Sequence, residues 1–373
     1  MNTHFDNYYQ CGDKTFYNIY QAFAHQKSTG HFPRYIIDQA LIDSISNFKR
    51  PTNLSVDYIR KLMISRLKEI RKKHNKMILP YSGGTDSYTL LKLCMDNDIY
   101  VDELVTQVAS ITKNVRTDLE SFAGFKSAKK WIAEKKLIGK HTIMYPTLDD
   151  LNYVNDPDWF YNHKIVTGMN LHFRIYCLPS IVNQSLKDDK DAIVVTGHEK
   201  PRFLVEDGKL YWTQIDASSG EMMGLTNTLP FFLDKENPEL IVAIAYAVID
   251  QLNLDSLLPH DQDITFSNRT NHNKIKWLEA SGYHLTPNYF VNVASMGKTK
   301  YNFNKKSQGF INELKKMGKH NFYSKMLHTH RRILDLYGDL PHAINFNGKL
   351  VKTVNRYSQK VPILQDKFAR WIP

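Results

Sequence analysis

Met77-Ile78-Leu79-Pro80-Tyr81-Ser82-Gly83-Gly84-Thr85-Asp86-Ser87-Tyr88-Thr89-Leu90-Leu91 decides how the chain is read. The apolar run Met77 to Tyr81 reads as a strand, and Tyr88 to Met95 carries apolar residues at helical spacing. The glycine pair falls on the junction between them, where an open α/β sheet takes up ligands beyond the carboxyl ends of its strands. Without Cβ atoms, Gly83 and Gly84 let the backbone approach phosphate oxygens. Successive N–H groups of Gly83, Gly84, Thr85 and Asp86 can form an anion nest backed by a helix N-terminus. Ser82, Thr85 and Ser87 add hydroxyl donors. Asp86 is a poor neighbour for bare phosphate, and its expected use is to hold a magnesium ion that bridges phosphate oxygens. Pro80 stands in what should be a central strand, where it removes a ladder donor and puts the pairing at the end of that strand in question.

Outward from this junction, strands and helices alternate, as in a parallel sheet flanked by helices. Further strands are expected at Leu104–Val108, Thr142–Tyr145 and Ala192–Thr196, with helices at about Thr117–Lys136 and Leu171–Leu186. Phe203 to Trp212 encloses Asp207-Gly208 between alternating runs and reads as a hairpin. Upstream, Ser55 caps an expected helix with Asp57 in its first turn and Ile59, Leu62, Met63, Leu67 and Ile70 on its apolar face. Its other face, with Arg60, Lys61, Arg66, Lys68, Arg71, Lys72 and Lys73, reads as solvated. From about Pro238 the chain reads as mostly helical with a short irregular tail. The expected organisation is therefore a helical N-terminal region (1–75), an α/β nucleotide domain (76–235) and a mostly helical C-terminal region (236–373) that completes the substrate site.

The chain has 373 residues, enough for two domains or one large domain with additions. With 49 Lys and Arg against 38 Asp and Glu, the formal charge is +11, which favours phosphorylated substrates or polyanions without choosing between them. Nucleic acid is thus a possible partner. Cys11, Cys94 and Cys177 lie far apart and form no zinc-ligand spacing, so a reducing, cytoplasmic location is expected. The start, Met1-Asn2-Thr3-His4, shows no secretory signal pattern. The longest apolar run, Leu240 to Ile249, is too short to span a bilayer and reads as a buried helix, so no membrane partner is expected.

Ser82-Gly83-Gly84-Thr85-Asp86-Ser87 resembles the loop of the PP-loop ATP pyrophosphatases, Ser-Gly-Gly-x-Asp-Ser, at every position. The resemblance implies an adenine-nucleotide α-hydrolase-like fold of the HUP type. It also implies ATP with Mg2+, and nucleotide contacts from Ser82 to Ser87, joined by Val108 at the end of the second strand. Within that superfamily the chain is most similar to the synthetase domain of asparagine synthetases, over roughly Met77 to Asp250. Ile193-Val194-Val195-Thr196-Gly197-His198-Glu199 resembles that family's strand ending in a Ser-Gly-Glu-Gly-x-Asp-Glu loop, but lacks its second acidic pair. Leu229-Pro230-Phe231-Phe232-Leu233-Asp234 resembles its Val-Pro-Phe-Leu-Asp segment at the start of a helix, and Arg356-Tyr357-Ser358-Gln359-Lys360 a lysine-bearing segment that reaches pyrophosphate.

By that resemblance Asp86 and Glu199 are the metal-binding carboxylates, and Glu199 alternatively takes a proton from an incoming amine. Lys200, Arg202 and Lys360 are the expected cations at the phosphates. The implied reaction is ATP cleavage to AMP and pyrophosphate, activating a carboxylate or carbonyl of a small molecule for attack by ammonia or an amine. No lysine follows the glycines as in a Walker loop, which argues against attack at the γ-phosphate. The start Met1-Asn2 lacks the cysteine of a fused glutaminase, so ammonia would come from solution, a partner or the substrate. The absence of cysteines after Cys177 disfavours sulfur-transfer chemistry. A tRNA- or nucleobase-modifying enzyme is the alternative, and a nucleotide-binding protein without turnover is the contrasting reading.

Overall fold

The computed structural model of the chain describes residues 8–16, 19–31, 33–36, 39–82, 85–108, 110–114, 128–134, 136–156, 158, 191–197, 202–206, 209–213, 227–254, 312–322, 324–325, 328 and 361–364. Its centre is a five-stranded sheet made of β4 (Lys76–Pro80), β5 (Val101–Gln107), β6 (Ile138–Met144), β7 (Ala192–Thr196) and β10 (Thr228–Pro230). The spatial order is β10-β7-β4-β5-β6. All four pairings are parallel. Counted along the chain, the sheet grows outward from β4 through β5 to β6, then returns to the other side of β4 for β7 and β10. This is an α/β doubly wound arrangement whose switch point lies between β4 and β7. Met77 to Pro80 and all of β7 are buried, as expected for strands covered on both faces. β6, with only Ile138 buried and the rest exposed or half-buried, behaves as an edge.

Pro80 shapes that switch point. Tyr81 N donates to Val105 O at 2.7 Å, so the strand's next N–H back along the chain points toward β7. That position is Pro80, which has none. The β4–β5 register accordingly runs on to Pro80↔Val105, whereas the β4–β7 register stops at Ile78↔Val194. The two strands are therefore joined at their amino ends and unpaired at their carboxyl ends, where a crevice is needed.

Helix α3 (Val56–Lys73) leads into β4, with Ser55 as its N-cap, the hydroxyl accepting from Tyr58 N at 3.1 Å. Such a cap is worth about 1 kcal/mol. Ile59, Met63, Leu67 and Ile70 are buried as expected, but Arg66, expected on the solvated face, is buried with them. Its guanidinium meets Asp234 at 2.5 Å, Glu236 at 2.8 Å and Glu69 at 3.1 Å. Burial raises the pKa of Asp234, and the charge and hydrogen bond of Arg66 oppose it. The partners lie 168 and 170 residues away, beyond the reach of helical periodicity. Asp234 also accepts from Glu236 N, fixing the turn between β10 and the next helix, α5 (Pro238–Leu254). Leu240 to Ala247 are all buried, in line with the core helix read from that apolar run. Tyr58 ties α3 to α5 through Glu239. Among the described residues no helix is long and apolar enough to cross a membrane.

The amino end of the sheet is laced by polar pairs. Glu103 on β5 is nearly inaccessible and takes Lys76 at 3.0 Å, Lys140 at 3.6 Å and the Thr142 hydroxyl at 2.6 Å. Burial works against its charge, but hydrogen bonds from Thr142 and Lys76 and the fields of both lysines hold its carboxyl below the usual range. Asp102 joins Arg71 at 2.8 Å to the Met77 backbone N–H at 2.7 Å. His74 and Asn75 bond to Asp191, just ahead of β7.

Two smaller sheets extend this core. The N-terminal region holds helices α1 (Ile19–Thr29) and α2 (Gln39–Asn47). It also holds an antiparallel sheet of β1 (Tyr8–Cys11), β2 (Lys14–Phe16) and β3 (Arg34–Ile36). The two strands expected either side of Asp207-Gly208 pair as β8 (Arg202–Glu206) and β9 (Lys209–Thr213), and β11 (Val361–Leu364) adds to β9 within the expected irregular tail. Leu229 and Pro230, read as leading a helix, instead end strand β10 before a short 3-10 turn, Phe231–Leu233. Of the helix expected at 117–136, residues 128–134 are helical, and Trp131 stacks 5.1 Å from Tyr88. The helix expected at 171–186 lies outside the described residues.

Candidate nucleotide site

At the carboxyl end of β4 the chain turns within a few residues into α4 (Thr85–Asp96). Tyr81 is buried and Ser82 half-buried. Ser87, on the first turn of α4, accepts from Ser82 N at 3.3 Å and shares a second 3.3 Å bond with the Ser82 hydroxyl. Both bonds are at the long end for such pairs, so an oxyanion can compete for these donors. The start of α4 places the first-turn N–H groups of Thr85 and Asp86 at the sheet's carboxyl edge, where a helix N-terminus favours negative charge. Gly83 and Gly84 lie outside the described residues, as do the side chains of Thr85 and Asp86.

Across the crevice, β7 ends at Thr196, with buried Gly197 next in the chain. Glu199 and Lys200 lie outside the described residues, within a few positions of that strand end. Arg202 opens β8 and pairs in register with Thr213, while Val361 pairs with Trp212. Lys360 lies outside the described residues, next in sequence to Val361.

On the other flank, Val108 is fully buried. Its N–H donates to Met144 O at 2.9 Å, and its carbonyl accepts from Ser110 N at 2.8 Å. Expected as a nucleotide contact, Val108 has its backbone groups committed to the protein, and it braces the exit of β5. The loop that follows is held by Glu313, a residue the sequence does not single out. No motif marks it, and its partners are more than 200 residues away.

Among the described residues no group of three His, Cys, Asp or Glu side chains is placed to hold a metal. A divalent ion at this site would rest on Asp86, a hard oxygen donor beside the glycine pair, together with phosphate oxygens and water, which is how Mg2+ is commonly bound.

No protein-family model matches the chain, and no curated protein sequence matches it. Among solved structures, it matches the U34-tRNA thiolase NcsA from Methanococcus maripaludis with its 4Fe–4S cluster, at 12% identity over 72% of this chain and 80% of that one, with a TM-score of 0.25. That overlay carries no argument about the site, and the fold rests on the strand order and parallel registers described above. Fold and site together define a doubly wound α/β protein with a strand–glycine–helix loop at its switch point. Nucleotides are commonly taken up at such a place.

Proposed function

We propose that the chain is an adenylating enzyme of the ATP pyrophosphatase type, acting at the crevice between β4 and β7. The observation that carries this reading is the position of Ser82 to Ser87 at the switch point, with Pro80 withholding the donor that would otherwise close the crevice. The loop N–H groups and the first turn of α4 hold the phosphates. Mg2+, when bound, supplies positive charge across the pyrophosphate unit, and Asp86, with Glu199, is the residue proposed to carry it. An acceptor oxygen attacks the α-phosphorus, and the bond to the bridging α,β-oxygen breaks. Pyrophosphate leaves with its charge matched by Lys200, Arg202 and Lys360. A nitrogen nucleophile, ammonia or an amine, then displaces AMP from the activated carbon. Glu199 is the proposed base for its proton.

The acceptor proposed first is a small-molecule carboxylate or carbonyl, with ammonia supplied free or by a partner. A second reading, a nucleobase carbonyl in RNA, is favoured by the net charge of +11 and by Lys61, Lys68 and Lys72, exposed on one face of α3. NcsA by its name acts on tRNA and carries a 4Fe–4S cluster. Such clusters are held by cysteine thiolates. Cys11 and Cys94 of this chain are buried in separate elements, β1 and α4, which does not favour cluster chemistry.

ATP labelled in the γ-position, supplied with Mg2+ and either a pool of carboxylates with ammonia or total RNA, tests both readings. Label is expected in pyrophosphate, with AMP as co-product, and the pool that supports turnover identifies the acceptor class. Release of labelled free phosphate with ADP would sink the proposal.

A further inference from the structure

Glu313 is 7% exposed. One carboxylate oxygen accepts from the hydroxyls of Ser110 and Thr112, each at 2.8 Å. The other accepts from the backbone N–H of Ile111 at 2.8 Å and of Thr112 at 3.4 Å. The carboxylate is thus enclosed by a single loop, and Ser110 in turn accepts from Asn114 N at 2.9 Å. Charge-assisted hydrogen bonds of this kind are about twice as strong as neutral ones. Leu314, fully buried, seats the same short helical segment (312–316) against Leu151, with Ile111, Leu148 and Phe322 around it. A segment from the C-terminal region therefore holds the loop that leaves β5.

That loop leaves the sheet on the same edge as the turn from β4 into α4. β4 and β5 are parallel neighbours, level at Pro80↔Val105 and one strand spacing apart, about 4.8 Å. A nucleotide with its phosphates on β4's exit is longer than that spacing, so the loop at 110–114 bounds the space it can occupy on the β5 side. Without its acceptors, the loop's hydroxyls and amide groups would be free to take other positions.

We infer that Glu313 is a positioning residue for the nucleotide site: it fixes the loop after β5 on the sheet edge where β4 turns into α4 and makes nucleotide affinity depend on the docked segment at 312–316. The inference rests on the ATP reading above.

Calorimetric titration of the full chain with magnesium-ATP, paired with amide exchange at Ile111 to Asn114 in the absence of nucleotide, tests it. Glu313→Ala is expected to speed exchange in the loop and to weaken ATP binding by about tenfold, a coupling in the usual range. Glu313→Gln keeps an acceptor oxygen and should recover part of the loss. Thr112→Val, which leaves the buried carboxylate its other donors, provides a milder loss should Glu313→Ala fail to fold. Glu134→Gln, on an exposed helical turn, should bind as the wild type does. Faster exchange with unchanged affinity in the Glu313 variants, or wild-type affinity in both Glu313→Gln and Thr112→Val, overturns the inference. Absence of ATP binding by the wild-type protein instead overturns the ATP reading itself.

Discussion

The two ends of the central sheet are built from different materials. At the amino end, charges meet charges: Glu103 with Lys76 and Lys140, Asp102 with Arg71, and Asp191 with His74 and Asn75. These contacts tie neighbouring strands together from the first residues of β4. At the carboxyl end the strands give out into glycines, serines and threonines, and the β4–β7 ladder stops early. The buried carboxylate on the β5 side of that end, Glu313, meets hydroxyls and backbone N–H groups rather than a cation. The difference separates what holds the sheet from what it is free to bind. Donors at one end lace the strands to one another, while those at the other tie down the loops that leave the sheet.

Changes at the two ends should therefore part cleanly between stability and activity. The largest effect is expected from Asp86→Asn, which should cut AMP-forming turnover by roughly a hundredfold or more, about 2.7 kcal/mol of barrier. Its unfolding free energy should stay within about 0.5 kcal/mol of wild type, because the role proposed for the residue is to serve a ligand. Product assay and denaturant titration of the same preparation read both quantities, and loss of stability in step with activity would break the division.

Glu103→Gln should do the reverse, costing about 1–3 kcal/mol of stability near neutral pH while leaving ATP affinity intact. The sign of its pH dependence follows from the lowered carboxyl pKa. The unfolded chain takes up the proton first, so the stabilisation is complete above about pH 4.3 and drains away as pH falls through the lower folded value. The gap between wild type and Glu103→Gln should thus be widest near neutrality and narrow in acid. A gap that does not change with pH would show that the charge of Glu103 contributes nothing.

The smallest effect is expected from Pro80→Val. A restored ladder donor adds about 1 kcal/mol, and the lost rigidity of the unfolded chain offsets about 0.4–1 kcal/mol of it. Stability should hardly move, while ATP affinity falls severalfold as β4 and β7 pair further. Unchanged affinity would show that the crevice does not depend on Pro80.

What was legible in the sequence follows from how local each signal is. β7 was found at its full extent, Ala192–Thr196, because a run buried on both faces is apolar throughout. The Ser55 cap and the Asp207-Gly208 hairpin were legible because cap and turn chemistry act over a few residues. β6 was placed at Thr142–Tyr145 but begins at Ile138, since Gly139, Lys140 and His141 on an edge strand hide its start. β1 and β2 are too short and mixed in composition to read as strands, though Gly12-Asp13 between them is a hairpin signal and Gly12 adopts the positive φ of +63° that favours glycine. β10 is short and ends in Pro230, tolerable on an edge and unreadable as a strand. At the candidate site, Ser82 to Ser87 announced themselves by motif. Arg66 and Glu313 could not, because the buried partner of Arg66, Asp234, and all those of Glu313 lie far away in the chain.

The Arg66–Asp234 pair also sets an order in time. Arg66 lies on the helix that precedes the sheet's first strand, and its buried partner follows the last. With synthesis at about 5–20 residues per second, the 168 residues between them take roughly 8–34 seconds to emerge. Until then α3 can seat neither its guanidinium nor, in the absence of α5, much of its apolar face. The nascent chain therefore waits with β7 lacking its neighbour β10, and the sheet can close only when nearly two-thirds of the protein has been made.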